Sequence, residues 1–478
     1  MLFNSLEFAI FLPVVFLLYW FIFPRSLKLQ NAFLVLASYF FYGWWDWRFL
    51  SLIFFSSIVD YTVGLGLKKW NGKAERKLLL FLSIFVNIGF LGFFKYYNFF
   101  VESFVDAFTF FGRPINPGML YIILPVGISF YTFQTLSYSI DVYRRKMEPT
   151  GDIMAFFAFV SFFPQLVAGP IERATNLLPQ FISRRTFDQV AAIDGMRQIL
   201  WGLFKKIVIA DNCAVLVNDI FAHYQDYSGS TLALGAFFFA MQIYGDFSGY
   251  SDIAIGTARL FGFSLMRNFA FPYFSRDIAE FWRRWHISLT SWFRDYVYIP
   301  LGGSRVGQFR VVRNVFVVFI ISGFWHGANW TFIFWGFLHA CFFLPLILVQ
   351  RNRNHLDIVA RGKILPSFRE FIAMLSTFIL VLFAWIFFRA ESMEQAFAYV
   401  GGLFNCSIID SPEVFPLEVY ILIPLMLITE WLQRDKQHAL MLDGLNIPRW
   451  GRWLIYYAVV FCIIWFTGEQ QEFIYFQF

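Results

Sequence analysis

The chain contains 478 residues, of which 59% are apolar and 15% charged, and its formal net charge is +6. Soluble domains carry roughly 25% charged residues, so this composition excludes an ordinary water-soluble globular protein and indicates one made for a lipid environment. Lys and Arg cluster in short loops, as membrane topology requires, so the net charge needs no nucleic-acid partner.

Apolar runs close to the ~20 residues that a bilayer-crossing helix needs recur along the chain. They are Leu2–Phe23, Leu78–Phe94, Val311–Phe324, Ala373–Phe388, Val419–Trp431 and Trp453–Phe466. Two more helices, at about Asn31–Trp44 and Phe49–Leu67, fit between the first two basic loops. The pattern predicts an all-α polytopic membrane protein with about 11–13 membrane-embedded or re-entrant helices in one domain, residues 1–478.

The distribution of Lys and Arg also predicts the orientation of the helices. Residues 68–77 form the most basic short connection and are expected in the cytoplasm. Three further basic stretches are expected on the same side: Arg25–Lys28, Arg144–Lys146 and Arg434 to Arg452. We therefore predict a multi-pass protein of the cell (inner, or cytoplasmic) membrane. Its N-terminus and its aromatic C-terminal tail, residues 468–478, are both expected to be extracytoplasmic.

The segment Gly245–Asp252 places two acids and two serines in apolar surroundings. Glycines there allow a broken helix whose loop lines a cavity, which would make Asp246, Ser248 and Asp252 candidates for substrate binding. The alternative is a contact between two helices, built on small residues and polar side chains. The sequence leaves both interpretations open.

The segment Ser275–Pro300 has the periodicity of a Trp-rich amphipathic helix lying at a membrane interface. Its apolar face consists of Phe281, Trp285, Leu289, Trp292 and Tyr296. Its polar face consists of Arg276, Arg283, Thr290 and Arg294. These arginines either contact lipid headgroups only or bind an anionic substrate such as the phosphates of coenzyme A.

Two histidines lie where polar residues are costly, His286 in the Trp-rich segment and His326 in Phe324–Asn329. Imidazole is suited to proton transfer near neutral pH, although a buried histidine is also a common packing residue. Trp325 beside His326 favours a binding role. His339 adds no recognised ligand spacing, so no metal site is expected.

Five stretches, in family order and covering nearly the whole chain, carry a resemblance to a known family. They are Leu124–Phe133, Gln165–Pro170, Asp246–Asp252, Phe281–Leu289 and Trp325–Gly327. On these stretches the sequence resembles the membrane-bound O-acyltransferase family, most closely its bacterial alginate and peptidoglycan O-acetyltransferase branch.

The resemblance implies a ring of tilted helices around a central funnel, with His326 as general base at the constriction. His286 would lie nearby and would orient the donor or stabilise developing charge. Acetyl-CoA is the implied donor, without a tightly bound cofactor, and Trp325 and the three arginines are donor-binding candidates. An extracytoplasmic SGNH-type transferase or esterase is the implied partner, and a cell-surface polysaccharide the acceptor.

The chain ends in an aromatic hexapeptide, residues 473–478. On composition alone this is an interfacial anchor of the kind found in membrane proteins. Related surface-acylation systems carry a similar C-terminal Phe-x-Tyr-x-x-Phe motif, here Phe473, Tyr475 and Phe478, whose tyrosine looks like an acyl carrier. The resemblance therefore predicts that Tyr475 is catalytic, with His326 taking its proton.

These observations together predict an O-acyltransferase that moves acetyl from cytoplasmic acetyl-CoA, through Tyr475, to a partner that acetylates peptidoglycan or alginate. Two alternatives stay open at this point. Within the family, the group could be D-alanyl destined for teichoic acid. Outside it, the protein could be a polytopic transporter of a glycan or acylated substrate without catalysis, although the paired half-repeats of many transporters are not found.

Overall fold

The computed structural model describes residues 1–23, 26–110, 120, 122–442, 445–468 and 471–474, and within them the chain is helical without a β-strand. The α-helices are α1 Leu6–Leu17, α2 Leu27–Asp46, α3 Leu50–Lys69, α4 Lys73–Leu91, α5 Tyr97–Phe110, α6 Ile128–Tyr143, α7 Ile153–Ser161, α8 Phe163–Leu166, α9 Ala174–Ile182, α10 Gln189–Leu203, α11 Asp211–Ala222, α12 Gly229–Leu260, α13 Ile278–Arg284, α14 Ile287–Phe293, α15 Gln308–His326, α16 Trp330–Leu348, α17 Phe368–Arg389, α18 Met393–Leu403, α19 Leu417–Leu432 and α20 Arg449–Trp465. Four π-helical segments interrupt or extend them: Leu18–Ile22, Gly92–Tyr96, Phe204–Ala210 and Arg294–Tyr298.

Five helical stretches of the described chain are long and apolar enough to cross a membrane. They are Leu27–Lys69, Lys73–Thr109, Gln308–His326, Trp330–Leu348 and Phe368–Arg389. Their outward side chains are large and apolar, as in α4, where Leu78, Phe81 and Phe85 are 68%, 61% and 64% exposed. Such a surface requires lipid rather than water around it. The prediction of an all-α polytopic membrane protein is therefore confirmed, whereas the number of embedded helices, the ring and its funnel stay predictions.

The described residues form two compact units, Met1–Ala192 with Thr257–Leu265, and Ile193–Gly256 with Met266–Phe478. The prediction of one domain stays a prediction. In the first unit, buried Asp60 of α3 accepts hydrogen bonds from Ser83 and Asn87 of α4 and from Ser139 of α6. A carboxylate with three donors in an apolar interior fixes three helices against one another.

In the second unit, α12 is one continuous helix of 32 residues through the segment Gly245–Asp252. Of the two interpretations that the sequence left open, a helix broken by these glycines, whose loop lines a cavity, is therefore wrong. A Cβ atom on Gly249 would lie 2.7 Å from the carbonyl oxygen of Gly202, and one on Gly256 would lie 2.4 Å from that of Gly195. The glycines therefore let α10 and α12 pack backbone to backbone, as the alternative interpretation stated.

The Trp-rich segment is not one interfacial helix, and that prediction is wrong. It divides into α13 and α14 at His286, whose backbone is left-handed with φ at +42°. The chain bends there because the extended residues 268–270 pair with the bend: the Ile287 N–H donates to the Asn268 carbonyl, and the Ala270 N–H donates to the Arg284 carbonyl, both at 2.9 Å. Four of the five predicted apolar-face residues are buried in protein rather than facing lipid: Phe281, Trp285, Leu289 and Trp292.

The close contact between α10 and α12 predicts a stability difference between two Gly→Ala variants. Gly249→Ala is expected to destabilise the protein by about 1–3 kcal/mol, because the new methyl group overlaps the Gly202 carbonyl. The midpoint of thermal unfolding in detergent, followed by Trp fluorescence, measures this change.

Gly89→Ala in α4 is the matched control, because nothing lies within 4 Å of its Cβ position. Alanine is favoured over glycine inside a helix by roughly 0.5–1 kcal/mol, so the control midpoint should stay or rise. Equal midpoints for the two variants would contradict the close packing.

Candidate active site

His326 is the last residue of α15 and is buried among aromatic rings. The ring centres of Trp325, Trp335 and Phe388 lie 4.9, 5.1 and 5.3 Å from that of His326. The helix ends there because Gly327 is extended and Asn329 caps α16 by accepting the Thr331 N–H at 3.0 Å. A side chain added to Gly327 would overlap the Phe332 ring, so glycine is required at this turn.

His286 is fully buried, and its orientation is fixed by Asn268. The Asn268 Oδ1 accepts the Ser288 N–H at 3.2 Å, and a backbone N–H is an unambiguous donor. The same oxygen lies 3.2 Å from the His286 Nδ1, which must therefore carry the proton in a neutral ring. Nε2 is then the basic nitrogen of His286.

Trp325 contacts both histidine rings, at 4.9 Å from His326 and 6.0 Å from His286 between ring centres. Two histidines separated by 40 positions in sequence thus meet across one indole in the same compact unit. The sequence pattern did not single out Asn268. It lies 18 residues before His286, and its only signal is being a buried amide in an apolar stretch.

A cavity of about 560 Å³ lies beside α13, α14 and α15, and we name it the basic cavity. Its lining includes Arg283, Arg294, Arg353, Thr290, Ser291 and Ser322. Ser322 precedes His326 by four residues, one helical turn on the same face of α15. The basic cavity therefore reaches from a cluster of arginines to the turn of helix that carries His326.

Of the three arginines predicted to bind a donor, Arg283 and Arg294 line the basic cavity and Arg276 does not. The guanidinium of Arg276 pairs with Glu280 at 3.0 Å, with Asp357 at 2.8 Å and with Glu370 at 3.5 Å. Its hydrogen bond holds the pKa of Asp357 below the ordinary value for a carboxyl. Arg276 thereby fastens the loop that carries Arg353 at the rim of the cavity.

A second cavity, of about 470 Å³, begins at Gly327, the residue after His326, and we name it the polar cavity. Its lining includes Gly327, Asn329, Asn218, Arg389 and Glu391. The Arg389 guanidinium donates to Asn218 Oδ1 at 3.0 Å and lies 5.4 Å from the centre of the Phe221 ring. His326 itself lines neither cavity, but it lies in the chain between Ser322, which lines the basic cavity, and Gly327, which lines the polar one.

The predicted substrate-binding residues of α12 line neither cavity. Ser248 Oγ accepts from the Lys205 ammonium at 2.8 Å, and Asp252 pairs with it at 2.6 Å. Asp246 pairs with Lys206 at 2.8 Å. These side chains neutralise two buried lysines that the sequence reasoning did not consider.

The described part of the C-terminal tail, residues 468 and 471–474, belongs to the same unit; Phe473 and Ile474 are buried, each 1% exposed, whereas Glu472 is exposed. The Phe473 ring lies 5.0 Å from Tyr250 and 6.0 Å from Phe247, and Phe247 lies 4.5 Å from His286 between ring centres. One phenylalanine thus separates the tail from His286. Tyr475 and Phe478 lie outside the described residues.

Within the part of the chain that the structure describes, no group of three His, Cys, Asp or Glu side chains could hold a metal ion. His339 is enclosed by aromatic rings, and its Nδ1 accepts the Trp282 indole N–H at 3.2 Å. His339 supports the packing of the α13–α16 contact.

Comparisons with known proteins place these features in a family. The profile of the membrane-bound O-acyltransferase family matches residues 145–390, which include both His286 and His326. A probable alginate O-acetylase of Pseudomonas aeruginosa is 41% identical over 410 residues, 85% of this chain and 75% of that protein. A peptidoglycan O-acetyltransferase of Helicobacter pylori is 37% identical over 434 residues, 84% of this chain and 80% of that protein. A teichoic acid D-alanyltransferase of Bacillus subtilis is 27% identical over 284 residues, 56% of this chain and 70% of that protein.

The two cavities are expected to open to opposite sides of the membrane. Helices α15 and α16 are both long enough to span it, and basic residues flank only the ends away from His326: Arg305, Arg310, Arg313, Arg351 and Arg353. Positive residues favour the cytoplasmic side, so the basic cavity should open there and the polar cavity outside.

Labelling of introduced cysteines with a membrane-impermeant maleimide measures this. Ser304→Cys, in the basic cavity, should react in inverted vesicles, and Ala328→Cys, in the polar cavity, in right-side-out vesicles. The parent protein, with its own four cysteines, supplies the background. Reaction of both variants from the same side would contradict the assignment.

Proposed function

The chain belongs to the membrane-bound O-acyltransferase family and is an acyltransferase, and from that premise we propose that it passes acetyl from cytoplasmic acetyl-CoA to the extracytoplasmic side through Tyr475. The observation that carries this proposal is that buried His326 lies in the chain between Ser322, which lines the basic cavity, and Gly327, which lines the polar cavity. Only the acyl group needs to pass the histidine, while the donor stays on one side. Membership of the family sets aside the alternative of a transporter without catalysis.

The donor end of the proposal rests on the basic cavity. Coenzyme A carries phosphate groups, and guanidinium groups bind phosphate through paired, charge-assisted hydrogen bonds. Arg283, Arg294 and Arg353 line the cavity, as does Ser322, one helical turn before His326. Phosphates at the arginines would direct the pantetheine arm and its thioester towards the histidine.

The chemical step requires a base, because tyrosine has an ordinary pKa of about 10 and is largely neutral at physiological pH. His326 takes the Tyr475 hydroxyl proton as the oxygen attacks the thioester carbonyl. The carbon–sulfur bond breaks, and the departing thiolate receives the proton from His326. The products are an acetyl ester on Tyr475 and free coenzyme A.

The structure narrows the role that we propose for His286. With its Nδ1 proton donated to Asn268, Nε2 of the neutral ring accepts hydrogen bonds and does not donate them. Of the two roles predicted for His286, this tautomer favours orienting the donor by accepting a hydrogen bond, although His286 is fully buried and lines neither cavity. It does not supply a hydrogen bond to an oxyanion.

The acceptor end of the proposal rests on the tail and on the relatives. The last described residues of the tail are buried, and the Phe473 ring contacts Phe247, whose ring contacts His286. Relatives named for acetyl transfer to alginate and peptidoglycan match 84–85% of the chain at 37–41% identity, against 56% at 27% for a D-alanyltransferase. We therefore propose acetyl as the group, a cell-surface polysaccharide as the final acceptor, and an extracytoplasmic SGNH-type transferase as the partner that receives it.

The carrier step predicts a covalent intermediate. The protein incubated with acetyl-labelled acetyl-CoA should carry the label on Tyr475, detected by peptide mass spectrometry. Tyr475→Phe should carry no label. In His326→Ala the acetyl ester should form at least roughly 100-fold more slowly, because general base catalysis is lost. Tyr457→Phe, on an exposed position of α20, is the control and should label as the parent does. Full acetylation of the final acceptor by Tyr475→Phe would reject the carrier.

The donor site predicts a change in the Michaelis constant. Arg353→Gln and Arg294→Gln should each raise the KM for acetyl-CoA about tenfold with little change in kcat, because a phosphate contact is lost equally from ground and transition states. Arg361→Gln removes the same charge from the same loop but lies outside the cavity lining, so its KM should not change. The same small change in all three variants would show that the arginines contribute only surface charge.

A further inference from the structure

Two consecutive lysines, Lys205 and Lys206, are buried in the π-helical segment Phe204–Ala210. A Cβ atom on Gly245 would lie 2.9 Å from the Lys205 carbonyl oxygen, and one on Gly249 would lie 3.1 Å from the backbone nitrogen of Lys206. The glycines therefore bring this segment directly against α12. Both ammonium groups can then reach acids of α12, which a larger residue at either position would prevent.

The two lysines are neutralised in different ways. Lys205 pairs with Asp252 at 2.6 Å, donates to Ser248 and lies 4.0 Å from Glu430, and all of these partners belong to helices. Lys206 pairs with both Asp211 and Asp246, each at 2.8 Å. Two carboxylates facing one ammonium leave an excess of acceptor capacity, which is costly in a buried site unless further donors are present.

The tail supplies that donor. The N–H of Ile474 donates to Asp246 Oδ2 at 2.7 Å, and the Lys206 ammonium also donates to the Gln471 carbonyl at 3.3 Å. The ion pair thus receives one main-chain donor, from Ile474, and one main-chain acceptor, from Gln471, three residues apart in the tail. Phe473, between them, packs against Phe247 and Tyr250 of α12.

We propose that Lys206, Asp211 and Asp246 form a tail anchor, a site that binds the main chain of residues 471–474 and fixes where the chain continues to Tyr475. Asp246 is in this view a positioning residue and not a contact of a diffusible substrate. The anchor binds only main-chain groups, whereas the aromatic pocket of Phe247 and Tyr250 binds the side chain at position 473. The effect of the anchor on catalysis, though not its binding of the tail, rests on the proposed role of Tyr475.

Hydrogen exchange of the full-length protein in detergent, read by mass spectrometry, tests the anchor directly. In Asp246→Asn, peptides containing residues 471–474 should exchange roughly tenfold faster or more, because the charged acceptor of the Ile474 N–H is lost. Asp252→Asn is the matched control: it removes the carboxylate of the neighbouring lysine pair, which has no contact with the tail. Peptides of α12 report whether either variant has lost its fold.

Asp246→Asn leaves buried Lys206 with Asp211 as its carboxylate partner, so the triple variant Lys206→Met/Asp211→Asn/Asp246→Asn is the second arm. It removes all three charges of the anchor together, leaves no unpaired buried ion at the site and keeps its volume. Faster exchange of the tail with unchanged α12 in this variant supports the anchor, and Asp246→Glu should restore part of the protection. Unchanged exchange of the tail in both variants would overturn it.

Kinetics separate the anchor from the carrier. A positioning role predicts that Asp246→Asn lowers kcat for acetyl transfer at an unchanged KM for acetyl-CoA. If the tail peptides of Asp246→Asn exchange faster while acetyl transfer stays normal, the anchor is supported and Tyr475 is not part of the mechanism. Protected tail peptides with abolished transfer would reject the anchor and return Asp246 to the substrate site.

Discussion

Backbone contact between α12 and the segment that follows α10 is the constraint on which the second unit depends. Gly245, Gly249 and Gly256 leave no side chain on one face of α12, and carbonyl groups of residues 195–205 fill that space. This placement also determines which residues the other faces of α12 contact. Ser251 of α12 accepts from the Asn268 amide at 3.1 Å, and the same Asn268 fixes His286. A shift of α12 would therefore displace His286 and the tail together and would disturb the hydrogen bond that sets the tautomer of His286.

Charge in this interior is arranged by a single rule. In a low-dielectric environment a buried ion is stable only when it is paired and its remaining hydrogen-bonding groups are satisfied. Lys205 and Arg276 follow the rule with partners of their own unit, which is why neither marks a ligand site. Arg294 and Arg353 differ because they are exposed and line a cavity, where a phosphate can reach them, although Arg294 also pairs with Asp295 at 2.8 Å. Position relative to a cavity, and not the presence of an arginine, distinguishes a binding residue here.

The sequence predicted what depends on composition and on local spacing. The apolar runs marked helices such as α4, α15 and α17 because lipid demands long apolar stretches, and polar residues inside such runs marked His286 and His326. It failed where the outcome depends on a distant partner. The segment before and after His286 has helical periodicity throughout, but hydrogen bonds to residues 268–270 impose a left-handed residue that no local pattern announces. Gly245 and Gly249 were equally consistent with a break and with a close contact, and only the opposing backbone of residues 202–206 decides between them.

The tail shows why such a partner is necessary. A polypeptide that enters an interior without water must satisfy its own N–H and C=O groups, and a segment of a few residues cannot form a helix or a sheet to do so. Side chains of the host must then supply the hydrogen bonds. Asp246 accepts from Ile474 and Lys206 donates to Gln471, so side chains of the host satisfy one N–H and one C=O of the segment. Because these bonds involve only main-chain groups, they hold the segment irrespective of what its next side chain carries. A tyrosine at position 475 could then gain and lose an acyl group while the binding of residues 471–474 stays the same.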